Sequence, residues 1–189
     1  MWRWRGATGT SACDARCFLH AGLAPCYLAI MNKEVLETQL RAVVPMDEAF
    51  AVFLGNDEKV FVIYVDGPVG TAIAMSMRGI TKERPLTHDL IGHVLRAFGA
   101  KVERVVINHL ENGVFHARII ITAENELQQR KVVELDARPS DSIALAVAQN
   151  APIFVSHDVW AQVEDVGEML RDIEKRGDGR RKKPEGDEE

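Results

Sequence analysis

The residues best suited to chemistry lie in one short segment, Asp136 to Ser142, which combines two carboxylates, a guanidinium and two hydroxyls. A strand-like run precedes the segment, and an apolar, helix-like run that we expect to be buried follows it. Pro139 suits the first turn of a helix, because its missing N–H would have no intrahelical partner there. The N–H groups at a helix start, with Arg138 beside them, form a natural site for phosphate. The segment therefore points towards nucleotides or nucleic acid, without specifying a reaction.

A second segment, Arg84 to Asp89, likewise has Arg-Pro followed by an aspartate near the start of a helix. An aspartate in the first helical turn is stabilised by the helix dipole, by roughly 0.3–1 kcal/mol, so each carboxylate also has an ordinary structural explanation. If the two helix starts converge, they would assemble one charged site. Its members would be Arg84, His88, Asp89, Asp136, Arg138 and Asp141.

Each residue type in this set has a defined chemical use. The carboxylates of Asp136 and Asp141 could hold a divalent metal, which would lower the pKa of a bound water and screen phosphate charge. Arg138 could bind phosphate in a bidentate manner. His88 could transfer a proton near neutral pH.

Charge limits the partners of such a site. The chain has a formal net charge of -5, and residues 31–170 hold 13 Lys and Arg against 20 Asp and Glu. Proteins that bind the nucleic-acid backbone usually carry a basic surface, since phosphate contacts supply most of the affinity. Any contact with nucleic acid is therefore expected to be local or weak, or to be assisted by divalent cations that bridge carboxylates to phosphates.

The chain is long enough for one globular domain, and no apolar run reaches the roughly 20 residues that cross a bilayer. We expect residues 1–30 to be an N-terminal extension, either disordered or the product of a start assigned too far upstream. A domain over 31–160, a C-terminal helix over 161–176 and a disordered charged tail over 177–189 should follow. A cytoplasmic location is expected.

Hydrophobic patterns predict the elements of the domain. Short loops at Gly55–Asp57 and Glu111–Gly113 separate β-rich runs, which predicts two hairpins. Thr87 to Phe98 is the clearest amphipathic helix, with Thr87 as its expected N-cap and Gly99 just beyond its end. Hairpins with helices inserted between them favour an α+β fold over a doubly wound sheet.

Four segments of the chain follow one another in a specific order. They are Arg84–Leu90, the hairpin strands around Gly113–Ala117, Asp136–Ala146 and Ala151–Val155. On these motifs the chain, over approximately residues 33–160, resembles the bifunctional nuclease (BFN) domain family. The resemblance implies a curved mixed, largely antiparallel sheet with flanking helices, and cleavage of DNA or RNA. Dimers occur in the family.

The resemblance singles out polar residues in the first and third of these motifs. The expected catalytic residues are His88, Asp89, Asp136 and Asp141. The expected phosphate-binding residues are Arg84, Arg138 and Ser140. Asp136 and Asp141 are also the expected ligands of a divalent metal, magnesium or manganese.

One position departs from the family pattern. After the Phe61–Val65 strand, family members commonly have a glycine and then a glutamate, whereas this chain has Val69 where the glutamate is expected. If that glutamate binds metal or activates water, Asp66 would have to replace it. Two alternatives to a nuclease therefore stay open: a regulatory or adaptor module of the same fold, and a binder of a small anionic ligand such as a nucleotide. The expected partners are nucleic acid and a second copy of the chain, but no membrane.

Overall fold

The structure, a computed structural model, describes residues 35–80, 82–124 and 130–181, with side chains described as far as residue 175. Within these ranges the chain forms seven strands and five helices. The strands are β1 (Val35–Pro45), β2 (Ala49–Gly55), β3 (Val60–Asp66), β4 (Ala100–Glu111), β5 (Val114–Glu124), β6 (Arg130–Ala137) and β7 (Ile153–Ser156). The helices are α1 (Gly67–Met77), α2 (Thr87–Ala97), α3 (Pro139–Gln149), α4 (His157–Gln162) and α5 (Gly167–Arg181).

The strands form one open, mixed sheet in the order β3-β2-β1-β7-β4-β5-β6. Neighbouring strands are antiparallel except β4 and β7, which are parallel. The sheet is strongly curved. Four strands lie between β3 and β5 in the sheet order, yet the ring centroids of Phe61 in β3 and Phe115 in β5 are only 6.0 Å apart. The predicted α+β fold with a curved, largely antiparallel sheet is confirmed.

Both predicted hairpins are present. Asn112 and Gly113 have positive φ angles of 51° and 78°, which is the backbone of a type I′ turn and matches the right-handed twist of the flanking strands. In the other turn, Asn56 Oδ1 accepts hydrogen bonds from the backbone N–H groups of Glu58 and Lys59, at 2.9 and 3.1 Å. These two turns pair β4 with β5 and β2 with β3.

Helices α1 and α3 pack against each other and against the main core of the sheet. The burial predicted for α3 is confirmed, since residues 142–146 are all buried. Gly70 brings α1 close to β2, where any Cβ at this position would collide with the ring of Phe50. Helix α5 covers the opposite face of the sheet. Its residue Leu170 packs with Ala51 and Phe53 of β2. These two residues alternate along the strand with residues of the main core, so their side chains point to the opposite face.

Helix α2 turns most of its apolar stripe to solvent, whereas Leu95 packs against the main core. Leu90, Ile91, Val94 and Phe98 are 53%, 40%, 47% and 80% exposed, while Gly92 is buried on the side that faces the domain. An exposed apolar stripe of this size is typical of an interaction surface. The predicted helix is present and begins at Thr87, but it ends at Ala97, one residue before the predicted end, and Gly99 follows with a positive φ of 65°.

The expected N-cap of α2 was wrong by one residue. Leu86, not Thr87, is the N-cap, with an extended backbone. Its N–H donates to Asp89 Oδ2 at 2.9 Å, so the carboxylate in the first turn caps the helix in place of a hydroxyl.

The C-terminal part of the chain also differs from expectation. A short helix, α4, ends at Gln162, and α5 begins at Gly167 and continues to Arg181, five residues beyond the predicted end. The added turns contain Gly177, Asp178 and Gly179, which are poor helix formers, so helix propensity does not explain why the helix continues where the pattern indicated a tail. The expected extension over 1–30 and residues 182–189 lie outside the described residues. Among the helices of the described part, none is both long and apolar enough to cross a membrane.

Candidate active site

The starts of α1, α2 and α3 meet at one cluster of charged side chains. Asp66 and Arg138 are the N-cap residues of α1 and α3, both with extended backbone, and each of these helices carries a proline in its first turn. A residue before proline avoids the helical conformation, so Arg138 marks the switch from β6 to α3. The backbone N–H and the Oγ–H of the buried Ser142 both donate to the Arg138 carbonyl, at 3.0 and 2.9 Å, and fix this first turn.

Asp141 lies at the centre of the cluster and contacts the two other main residues, Arg138 and His88. Its Oδ2 accepts a hydrogen bond from Arg138 Nε at 2.7 Å, and its Oδ1 lies 3.1 Å from His88 Nε2. Burial alone would raise the pKa of Asp141, but the hydrogen bonds from Arg138 and His88 outweigh it and hold this pKa below its ordinary value. The carboxyl group is therefore ionised at neutral pH.

The ionised state of Asp141 determines which ring nitrogen of His88 carries the proton. A carboxylate only accepts hydrogen bonds, so His88 Nε2 must carry the proton that it donates. The Nδ1 atom is then the ring nitrogen that remains for proton exchange. The imidazole is only 13% exposed, which restricts its rotation and keeps it on the carboxylate.

Arg138 presents much of its guanidinium to solvent. The side chain is 65% exposed, and its second contact, from Nη1 to Asp66 Oδ2, is long at 3.7 Å. The hydrogen bond to Asp141 raises the pKa of Arg138 above its ordinary value, so the group is a permanent cation. Arg138 and Ser140 line a groove of about 550 Å³ between β3 and the β4–β5 turn. Free N–H groups of an arginine in such a groove suit a phosphate.

Asp89 supports this cluster from α2 and does not join it. Its carboxylate binds Lys82 Nζ at 2.8 and 3.0 Å and accepts the Leu86 N–H. Burial acts to raise the pKa of Asp89, but the bonds from Lys82 and Leu86 prevail and lower it. The sequence interpretation missed Lys82, because nothing in its local pattern indicates an ion pair with Asp89, seven residues further along the chain. The pair fixes the first turn that carries His88.

We expect Asp89→Asn to lower the free energy of unfolding by about 0.5–2 kcal/mol at pH 7, the usual cost of a lost cap. The pKa of Asp89 is lower in the folded chain, so its stabilisation is complete above the unfolded value and is lost as pH falls through the folded one. The difference from wild type should therefore shrink below about pH 4. Urea unfolding at pH 7 and in steps below pH 4 measures this, with the exposed Glu83→Gln as control. An equal effect of both variants would contradict the capping role.

Two residues expected at the site lie apart from the contacts of Asp141. Asp136 is exposed in β6 and pairs across the strands with Arg118, whereas the next residue, Ala137, pairs with the buried Ala117. Since side chains alternate across a strand, Asp136 lies on the sheet face opposite to the core that α3 covers. Arg84 is exposed in the bend before α2.

The donor set does not fit a resident metal centre. Both oxygens of Asp141 are already engaged, one by Arg138 and the other by His88. In the part of the chain that the structure describes, no group of three or more His, Cys, Asp and Glu side chains could hold a metal ion. A dedicated site for magnesium would need several oxygen ligands in octahedral geometry.

Val69, which stands where the family pattern has a glutamate, has a packing role in the structure. Val69 is partly buried and packs against the main core. Asp66, which the sequence suggested as a replacement for the missing glutamate, instead lies beside the cluster through its contact with Arg138. Asp66 therefore contributes a negative charge next to the guanidinium, although its side chain is 72% exposed.

Comparison with known proteins shows the family of the chain. The model of the bifunctional nuclease domain family matches residues 52–166, more than half of the chain and the whole of the cluster. Two proteins of Mycobacterium tuberculosis, uncharacterized protein MT1877 of strain CDC 1551 / Oshkosh and uncharacterized protein Rv1829 of strain ATCC 25618 / H37Rv, are each 35% identical over 107 residues. The match covers 57% of this chain and 60% of each relative. The chain belongs to the bifunctional nuclease domain family.

Proposed function

We propose that the chain hydrolyses phosphodiester bonds of nucleic acid at the cluster of His88, Arg138 and Asp141. One observation carries the proposal: a single ionised carboxylate holds a guanidinium on one oxygen and an imidazole on the other. A cation for phosphate and a proton-transfer group are thereby fixed relative to each other before substrate binds. Preorganisation of this kind is a large source of catalytic rate.

The three side chains divide the reaction between them. Arg138 binds non-bridging phosphate oxygens through N–H groups that Asp141 does not use, and neutralises charge as it develops. His88 takes a proton at Nδ1 from a water whose oxygen bonds to phosphorus, while the bond from phosphorus to the leaving oxygen breaks and solvent protonates that oxygen. Asp141 stabilises the imidazolium that results. The positive ends of three helix dipoles favour the anionic substrate.

Cleavage of labelled oligonucleotides tests the proposal. The full chain is incubated with single-stranded RNA, single-stranded DNA and plasmid, in EDTA and with magnesium or manganese. We expect fragments from wild type and a loss of most of that activity in Asp141→Asn. The metal arms test the expected assistance by magnesium or manganese. If wild type and Asp141→Asn release indistinguishable fragments at matched purity, the proposal is wrong and the regulatory or adaptor alternative takes its place.

A second candidate function rests on the cleft on the α2 side of the cluster. A space of about 590 Å³ lies beside α2 and is lined by the basic residues Lys82, His93 and Arg96. His88 and Asp89 line the same space. Gln149 also lines it and has a buried Nε2 with no hydrogen-bond partner in the described structure. These groups suit a small anion such as a nucleotide. A rise in melting temperature with nucleotide, in the absence of cleavage, would favour this ligand-binding function.

The exposed stripe of α2 supports a homodimer, which the family resemblance also implies. Leu90, Ile91, Val94 and Phe98 follow the i, i+1, i+4, i+8 spacing of one helix face, which suits packing against the same helix of a second copy. The cytoplasmic location expected from the sequence stays a prediction.

We expect Val94→Glu to convert the dimer to a monomer, because a charge at the centre of the stripe cannot be buried without a partner. Size-exclusion chromatography with light scattering measures the mass. Val132→Glu is a matched control, since Val94 and Val132 are both 47% exposed and Val132 lies in β6. A monomeric wild type, or equal dissociation in both variants, would contradict the interface.

A further inference from the structure

An exposed aromatic ring lies in the same groove as the arginine of the cluster. Tyr64 is 60% exposed in β3 and, with Arg138 and Ser140, lines the groove of about 550 Å³. Phe61, Ile63 and Val65 on the same strand are buried, so the sheet core does not use the tyrosine. The opposite wall includes Val114, which is 58% exposed at the β4–β5 turn. The groove therefore has apolar walls, the guanidinium of Arg138 and, beside it, the carboxylate of Asp66.

The spacing along β3 sets the distance between Tyr64 and Asp66, the residue that contacts Arg138. Tyr64 and Asp66 are two residues apart and project on the same side of the strand, about 7 Å from each other. Asp66 in turn contacts Arg138. A phosphate on Arg138 and a planar group on Tyr64 can thus belong to adjacent parts of one ligand, with a base stacked on the ring.

The charge of the chain makes such a stacking contact more important. With 20 acidic against 13 basic residues over 31–170, the protein lacks the basic surface that binds a duplex through its backbone. Base stacking on an aromatic ring provides affinity that does not depend on net charge. In a duplex, however, the face of each base is covered by its neighbours. Only an unpaired base can reach Tyr64.

We propose that Tyr64 and Arg138 form a subsite for single-stranded nucleic acid, in which Arg138 binds a phosphate and Tyr64 stacks on the adjacent base. This inference rests on the proposed function, because it names the substrate class of the same site. The sugar takes no part in either contact, so DNA and RNA single strands share the subsite. Tyr64 is a specificity residue and has no part in proton transfer.

Fluorescence anisotropy with matched probes tests the subsite. The probes are oligo(dT), oligo(U), a DNA duplex and an oligomer of abasic deoxyribose phosphates, which keeps the phosphates and lacks the bases. The full chain carries His88→Ala so that the probes stay intact. Tyr64→Leu should weaken binding of both single strands about 5-fold to 100-fold, the range found for loss of one stacked base. Tyr64→Trp should restore it, because tryptophan also stacks.

The abasic probe separates stacking from all other effects. Tyr64→Leu should leave its binding unchanged, whereas Arg138→Ala should weaken binding of the abasic and the base-bearing probes alike. The duplex should bind more weakly than either single strand and should not respond to Tyr64→Leu. Equal losses on abasic and base-bearing probes, or no loss on either, would overturn the subsite, as would equal binding of single strand and duplex.

Cleavage assays keep this inference distinct from the proposed function. If wild type cuts duplex and single strand at equal rates, and Tyr64→Leu cuts both like wild type, the subsite is wrong while the nuclease stands. If no substrate is cut but single strands bind in a manner that depends on Tyr64, the subsite stands as a binding site and the nuclease is wrong.

Discussion

Replacement of His88 by alanine should lower kcat for cleavage by about 10²- to 10⁴-fold, the usual contribution of a general acid or base. The imidazole is the proton-transfer group of the cluster, and Asp141 holds it by Nε2 at 3.1 Å. KM should change little, because the phosphate is bound by Arg138. Single-turnover rates on a labelled single strand measure the effect on the chemical step.

His109→Ala controls for the loss of a histidine outside the cluster. His109 is 57% exposed and lies in β4 beside His116, with ring centroids 5.8 Å apart. It has no contact with the cluster among the described interactions. An equal loss of rate in both variants would show that histidine substitution harms the protein in general, and a His88→Ala variant with wild-type rate would remove His88 from the mechanism.

Replacement of Arg138 by alanine should lower kcat/KM by about 10²- to 10³-fold, comparable to the loss of one preorganised group that stabilises transition-state charge. It removes the phosphate contact and also frees the oxygen of Asp141 that Arg138 holds at 2.7 Å. Arg138→Lys should recover only part of the rate, because an ammonium group cannot donate from a planar fork to both carboxylate and phosphate.

Arg118→Ala controls for the loss of an ion-paired arginine. Arg118 is 48% exposed and pairs with Glu134 at 2.6 Å, on the strand position opposite Asp136. Its pKa is raised by the hydrogen bond to Glu134, so both arginines are firmly charged. Full rescue by Arg138→Lys, or an equal loss in Arg118→Ala, would contradict a positional role for the guanidinium.

Much of this arrangement follows from local sequence, because its causes are local. Pro139 and the apolar run behind it fix the start and the burial of α3, and Asn112-Gly113 fixes a hairpin turn. The convergence of the motifs around His88 and Asp141 was a hypothesis that the sequence alone did not decide. It requires α2 and α3 to pack side by side, which only the tertiary structure provides.

Asp136 shows the limit of reading from motifs. Asp136 belongs to the same sequence motif as Arg138, but it still lies in β6. Successive side chains of a strand point to opposite faces of the sheet. The end of a strand is uncertain by a few residues when it is inferred from sequence. A difference of one residue there moves a carboxylate to the other side of the sheet.

Helix α2 shows a second limit. Its pattern correctly indicates one apolar and one polar face, but a soluble domain is expected to bury the apolar one. In this protein the inward side carries His88 and Asp89, held by Asp141 and Lys82, together with Leu95, which packs against the main core. The rest of the apolar stripe faces solvent.

The most direct test of the central claim is the single-turnover cleavage rate of the double variant His88→Ala/Arg138→Ala beside that of the control pair His109→Ala/Arg118→Ala. Because His88 transfers the proton and Arg138 binds the phosphate, the first variant should lose at least as much rate as His88→Ala alone, on the order of 10²- to 10⁴-fold. The control pair should keep the wild-type rate. Equal rates for the two double variants would contradict the assignment of catalysis to the cluster around Asp141.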